Sequence, residues 1–88
     1  MGWTVKVSSR AEGYFKRLDR KTKGRIKKKF LELSGCEDPL AHKDVKPLTG
    51  ELKGFYRLRV GDYRVVFSIL RKEKTIAVVN LAPRGNVY

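Results

Sequence analysis

FYRLRVGDYRVVF, residues 55–67, alternates basic and apolar side chains on both sides of a Gly–Asp pair. A two-residue turn at Gly61 and Asp62 closes this stretch into a β-hairpin, because glycine takes positive φ without steric cost. With those two residues as the loop, Val60 pairs with Tyr63 and Arg59 stands opposite Arg64. Cross-strand partners project to the same face, and the period of two adds Arg57 to it. Tyr56, Leu58, Val60, Tyr63, Val65 and Phe67 fall on the other face. One hairpin therefore predicts a sheet with an apolar side for the core and three guanidinium groups on its uncovered, concave side.

The flanking sequence completes the architecture. Upstream, Trp3, Val5 and Val7 alternate with polar residues and predict a half-buried first strand. SRAE, residues 9–12, matches a capping box with Ser9 as the N-cap and Glu12 reaching back. Ala11, Tyr14, Phe15 and Leu18 then form the apolar stripe of a helix. A second helix, capped by Asp19 or Thr22, carries Ile26, Phe30 and Leu33 and ends near Gly35 and Pro39. The near absence of a loop between the helices predicts an antiparallel hairpin. Residues 36–53 read as a loop anchored by Leu40, Val45 and Leu48. Downstream, a turn near RKEK, residues 71–74, leads into TIAVVNLA, apolar enough for a central strand. The predicted fold is α+β in the order β-α-α-β-β-β. It is a small, twisted, mostly antiparallel sheet with an N-terminal helical hairpin packed on one face.

At 88 residues the chain makes a single domain, residues 1–88. No apolar run approaches the roughly 20 residues of a membrane span, and MGWTVKV is no secretion signal, so no membrane association and a cytoplasmic location are expected. One cysteine, Cys36, and one histidine, His42, exclude an internal disulfide framework and make a zinc site unexpected. No metal and no small-molecule cofactor are expected. Cys36 at a helix end has no catalytic part, and His42 reads as a surface loop residue rather than a general base.

Charge is the informative quantity. Lys and Arg number 21 against nine acidic residues, a net charge of +12. Solubility alone asks for about 2 to 8 in a small domain, so a polyanionic partner is indicated. Setting Arg59 opposite Arg64 costs about 0.2 to 1 kcal/mol, a break with local preference of the kind that functional sites carry. Edge protection against aggregation would be met by lysine and needs no cross-strand arginine pair. Arginine also grips phosphate through its planar fork of donors. On the second helix, Lys23, Arg25, Lys27, Lys28 and Lys29 form a charge run. Such runs are ordinarily solvated faces; the functional reading is attachment to RNA phosphates. The last residues, PRGNVY, add Arg84 and Tyr88 beyond the apolar strand.

Taken together, the lysine-rich helical hairpin, YRLRVGDYRVVF, the apolar strand and the closing R-x-x-x-Y resemble the RelE/ParE superfamily of toxins from type II toxin–antitoxin systems, and most closely its RelE branch, over essentially the whole chain. The resemblance implies a ribosome-dependent endoribonuclease (mRNA interferase) that cuts mRNA in the decoding site, inhibits translation, and is silenced by a cognate antitoxin. It implies the ribosome with its rRNA, mRNA and the antitoxin as partners. Carried over residue by residue, Arg57, Arg59, Arg64, Arg84 and Tyr88 match the family's catalytic positions. Two departures stand out. Well-known members have lysines where Arg57 and Arg59 stand, and many have a histidine where Pro83 stands. The first keeps charge stabilisation and removes lysine base chemistry; the second removes a proton donor. Lys46 and Leu48 border the site in a motif too loose to assign roles.

RNA is cleaved without metal when its 2′-hydroxyl attacks the adjacent phosphate and expels the 5′-oxygen. A preorganised arginine cluster stabilises the charge that gathers on the phosphoryl oxygens. Arg64 and Arg84 are the expected phosphate stabilisers, with Arg57 and Arg59 as grips. Tyr88 would stack on a base or act as acid–base near cations that lower its pKa. Three rivals remain open: a ParE-like poison of DNA gyrase, a non-catalytic RNA-binding protein, and a toxin with vestigial activity.

Overall fold

A computed structural model of the chain describes residues 2–83. Strand β1 (Thr4–Val7) leads into helices α1 (Ser9–Lys16) and α2 (Arg20–Gly35). Then come β2 (Val45–Pro47), β3 (Tyr56–Val60), β4 (Tyr63–Leu70) and β5 (Thr75–Pro83). They form one sheet in the order β1-β5-β4-β3-β2, with β1 parallel to β5 and every other pair antiparallel. The chain leaves one sheet edge at β1, spans the face with its helices, and re-enters at the opposite edge with β2. Three antiparallel returns then bring β5 back beside β1.

The α+β reading and the single helix-covered face hold. The sheet has five strands rather than the expected four, because Val45–Pro47 is a strand and not loop. Three residues among charged neighbours carry no periodicity to detect, and Pro47 argues against a strand anywhere except at an edge, which is where β2 sits. β5 is flanked on both sides, as its composition requires, but β4 is the middle strand.

Both hairpin turns are built as their residues demand. Gly61 takes a positive φ of +57° and Asp62 does not, as in a type II′ turn. At the other turn Lys74 takes φ +48°, and its ammonium lies 5.9 Å from the centre of the Trp3 ring. The core lies between helices and sheet. Ile26 and Leu33 of α2, Leu58 of β3, Val65 and Phe67 of β4 and Ile76 of β5 are fully enclosed. Burying each of these is worth about 1.5–3 kcal/mol. Helix α1 packs on β5, while α2 meets β1 and β3. Trp3 fastens β1 to the end of α2: its backbone N–H donates to the Ser34 carbonyl at 2.8 Å, and its own carbonyl accepts from Ser34 Oγ at 2.7 Å.

The start of α1 is shifted from the expected position. Ser8, not Ser9, is the N-cap, and its Oγ accepts from the Ala11 N–H at 3.1 Å. The strand decides this register. Ser8 N–H donates to the Val78 carbonyl at 2.9 Å, ending the β1–β5 ladder there. Glu12 is thus one residue too far along to close a capping box, and pairs with Lys16 on the surface at 3.8 Å. Helix α2 does use Asp19, whose Oδ2 accepts from Thr22 N–H at 3.3 Å; the Thr22 side chain first, and this backbone bond after it, lower the carboxyl pKa. The register predicts that Ser8→Ala lowers stability by about 1 kcal/mol and the melting temperature by roughly 4–8 °C. Ser9→Ala should change it by less than about 0.5 kcal/mol. Thermal melts of the two variants check it.

Candidate nucleic-acid interface

The pairing of β3 with β4 sets Arg59 opposite Arg64 and Arg57 opposite Val66. Leu58, Val60 and Val65 on the alternate positions are buried in the main core, so the three guanidinium stems leave from the other face. Strand β2 adds a fourth cation, since Lys46 is the register partner of Arg57. The sequence puts Lys46 only at the border of the site; strand β2, which local periodicity does not reveal, sets it beside Arg57. Among the described residues no carboxylate comes within ion-pair distance of Arg57 or Arg64. Arg84 and Tyr88 lie outside the described residues.

This face is not wholly uncovered, as the hairpin alone suggested. Val66 is buried there beneath Leu48, Phe55 and Val79. The segment between β2 and β3, which includes a single helical turn at Gly50–Leu52, folds over the sheet and supplies Leu48 and Phe55. Of the three expected loop anchors, Leu40 and Val45 join the main core and Leu48 joins this second, smaller cluster.

Arg59 is tied to the helix layer through Asp44. The Asp44 carbonyl accepts from Arg59 N–H at 3.0 Å, and its Oδ1 lies 3.7 Å from Arg59 Nη2. Its Oδ2 accepts from Lys29 Nζ of α2 at 2.6 Å. The Lys29 ammonium holds the Asp44 carboxyl below its ordinary value, and Asp44 in turn raises Lys29. His42 braces the same corner. Its Nδ1 accepts from Asp44 N–H at 3.0 Å, which assigns the ring proton to Nε2, and Nε2 donates to Glu32 Oε1 at 3.0 Å. That bond, with Lys29 behind it, lowers the Glu32 carboxyl. His42 is therefore a structural brace with its side chain only 10% exposed, not the surface residue its charged neighbours suggested. Cys36 caps the end of α2, with Sγ 3.2 Å from the Glu32 carbonyl.

The charge run Lys23, Arg25, Lys27, Lys28 and Lys29 of α2 divides among several directions. Lys29 is committed to Asp44 and Glu32. Lys27 lies 5.9 Å from the centre of the Phe15 ring, on the flank toward α1. Lys23 shares that helical stripe by i, i+4 spacing, while Arg25 and Lys28 lie at i, i+3 on another. A side-chain carbon at Gly61 would stand 3.4 Å from Arg25 Nη1, so Arg25 leans over the turn that joins the two arginine strands. Arg25 is thus the helix cation nearest that hairpin end.

The sequence matches the model of the ParE toxin family of type II toxin–antitoxin systems across residues 5–88. The chain belongs to the RelE/ParE superfamily of toxins. Solved structures agree with this toxin's fold. A chain of the archaeal RelE–RelB complex from Pyrococcus horikoshii is 31% identical, with a TM-score of 0.79 over 98% of this chain and 99% of that one. The RelBE2 toxin–antitoxin complex of Mycobacterium tuberculosis gives a TM-score of 0.81 at 22% identity, over 96% of this chain and 100% of its own. The isolated E. coli RelE toxin gives 0.73 at 17% identity, over 96% of this chain and 86% of its own. No curated protein matches the sequence. Among the toxin's described residues, no helix is long and apolar enough to cross a membrane.

Asp44 supplies a test of the corner that carries Arg59. Its pKa is lower folded than unfolded, so the stabilisation is complete above the ordinary carboxyl value of 3.8 and is lost as pH falls through the folded value. Asp44→Asn should cost about 1–3 kcal/mol at pH 7. The gap from wild type should close below the ordinary carboxyl range, as measured by urea unfolding across pH.

Proposed function

We propose that the toxin is a ribosome-dependent endoribonuclease that cuts mRNA in the decoding site and is neutralised by a cognate antitoxin. The observation that carries this reading is the shared face of Arg57, Arg59 and Arg64, with Lys46 beside them and no carboxylate near Arg57 or Arg64 among the described residues. A gyrase-binding surface has no need of cations set opposite one another at a cost in sheet stability. A phosphodiester gathering charge does. The M. tuberculosis complex of similar fold is a toxin–antitoxin complex and the P. horikoshii one joins RelE to RelB, which supports a cognate antitoxin partner here.

In this reading the 2′-oxygen attacks phosphorus, the bond to the 5′-oxygen breaks, and the products are a 2′,3′-cyclic phosphate and a 5′-hydroxyl. Arg64 stabilises the phosphoryl oxygens, and Arg57 and Arg59 hold the strand on either side, with Lys46 extending the row. Arg84 and Tyr88 complete the site as proposed from the family motif: Arg84 on the phosphate, Tyr88 stacking or exchanging a proton. The ribosome supplies the in-line geometry that a free strand lacks. Arg25, Lys23 and Lys28, with Lys27 on the helix flank, attach the toxin to rRNA, a contact that weakens steeply with salt; Lys29, expected among them, is held by Asp44 and Glu32.

Programmed ribosomes treated with the purified toxin, with cuts mapped by primer extension, decide the matter. Cuts confined to the decoding-site codon are expected. Arg64→Ala should slow them by about 10²–10³-fold with a melting temperature no lower than wild type, since it relieves the repulsion with Arg59. An intact message together with inhibited DNA supercoiling would overturn the reading in favour of gyrase poisoning.

A further inference from the structure

Beside the arginine row, on the same face of the sheet, a cleft of about 220 Å³ is lined by Arg10, Leu52, Phe55, Val66, Val79 and Asn80. Its place is set by an irregularity in β5. Val66 pairs with Asn80, but the next residue, Phe67, pairs with Val78, so Val79 is an extra residue in the ladder. Val78 and Leu81 both face the main core, and the two residues between them both leave for the other side. A bulge of this kind re-aims a side chain that strict alternation would have sent inward. Here it turns Val79 out beside Asn80, which as the register partner of Val66 already faces that side. The start of α1 is moored to the same bulge, with Ser8 N–H on the Val78 carbonyl at 2.9 Å and Ser8 Oγ on the Val79 carbonyl at 3.3 Å. That mooring brings Arg10 to the cleft wall.

The geometry points to a nucleobase subsite: one unstacked base of the bound RNA enters this cleft, and Asn80 reads its edge. This rests on the nuclease reading of the neighbouring arginines. Lys46, Arg57, Val66 and Asn80 form one continuous row across β2, β3, β4 and β5, so the cleft lies one strand away from the proposed phosphate grips. Its walls are apolar where a planar ring would lie, with Phe55 and Val79 against it and the buried Val66 beneath. Arg10 offers a planar cation for stacking. The cleft falls below the roughly 300–1,000 Å³ of pockets for drug-sized ligands, which suits a single ring system. Asn80 Oδ1 is taken by the Leu81 N–H at 2.9 Å. Among the described residues its amide N–H₂ bonds no acceptor, and two donors remain for a base edge.

Asn80→Asp keeps the acceptor for Leu81 N–H and removes the donors. Wild type, Asn80→Asp and the exposed-surface variant Arg10→Ala are compared on ribosomes carrying codons that differ at one base. Asn80→Asp should change the ratio of cleavage rates between bases by on the order of tenfold. Arg10→Ala should slow all codons several-fold with wild-type melting. If wild type cuts and both variants match it in rate and preference, the subsite is wrong and the nuclease reading stands. If wild type cuts nothing, both fall. An Asn80→Asp protein inactive on every codon passes the decision to Arg10→Ala, whose unchanged rate overturns the subsite. Variants that cut normally but resist neutralisation by the antitoxin would give the cleft to an antitoxin side chain instead, and also overturn it.

Discussion

Gly61 and Asp62 set the pairing of β3 with β4, and most of the molecule hangs on that register. A two-residue turn with positive φ at its first position leaves Val60 facing Tyr63 and fixes every later pair. A slip of one residue would send Leu58 and Val65 to solvent and drive arginines into the core. The enclosed side chains on one face thus hold the cations on the other. Burial of Leu58, Val65 and Phe67 outweighs by several-fold the repulsion between Arg59 and Arg64. The sheet tolerates a locally unfavourable pair because its reverse side is strongly specified.

The two layers are joined at one corner by charge. Asp44 binds Arg59 through its backbone carbonyl and carboxylate, and Lys29 of α2 through a short charge-assisted bond. The lysine run of α2 is therefore not a uniform solvated stripe. One member serves the fold, another lies on an aromatic ring, and Arg25 leans over the hairpin turn. Asp44 restrains only one of the three arginines, and that arginine's side chain stays 58% exposed.

β5 performs a second task that its apolar composition conceals. It pairs in parallel with β1 and antiparallel with β4, and its extra residue at Val79 lets one strand serve both faces. Without the bulge, alternation from Leu81 would turn Val79 into the core and Val78 out of it. With it, the strand presents an amide beside the cation row and still places Val78 and Leu81 inside.

The amino-acid sequence by itself determined the hairpin, its register, the shared face of Arg57, Arg59 and Arg64, and the α+β order of elements. These are local patterns of period two and 3.6 with strong turn residues, and local sterics suffice to read them. The family resemblance proposes Arg84 and Tyr88 for the same site, and both lie outside the described residues. Tertiary structure alone decided the rest. Val45–Pro47 is a strand only because β3 offers it a ladder. Ser8 caps α1 only because β5 takes its N–H. His42 and Lys29 are structural because distant carboxylates meet them. Lys46 and Asn80 join the arginine row through pairings between separate strands, and no local pattern encodes a partner far along the chain.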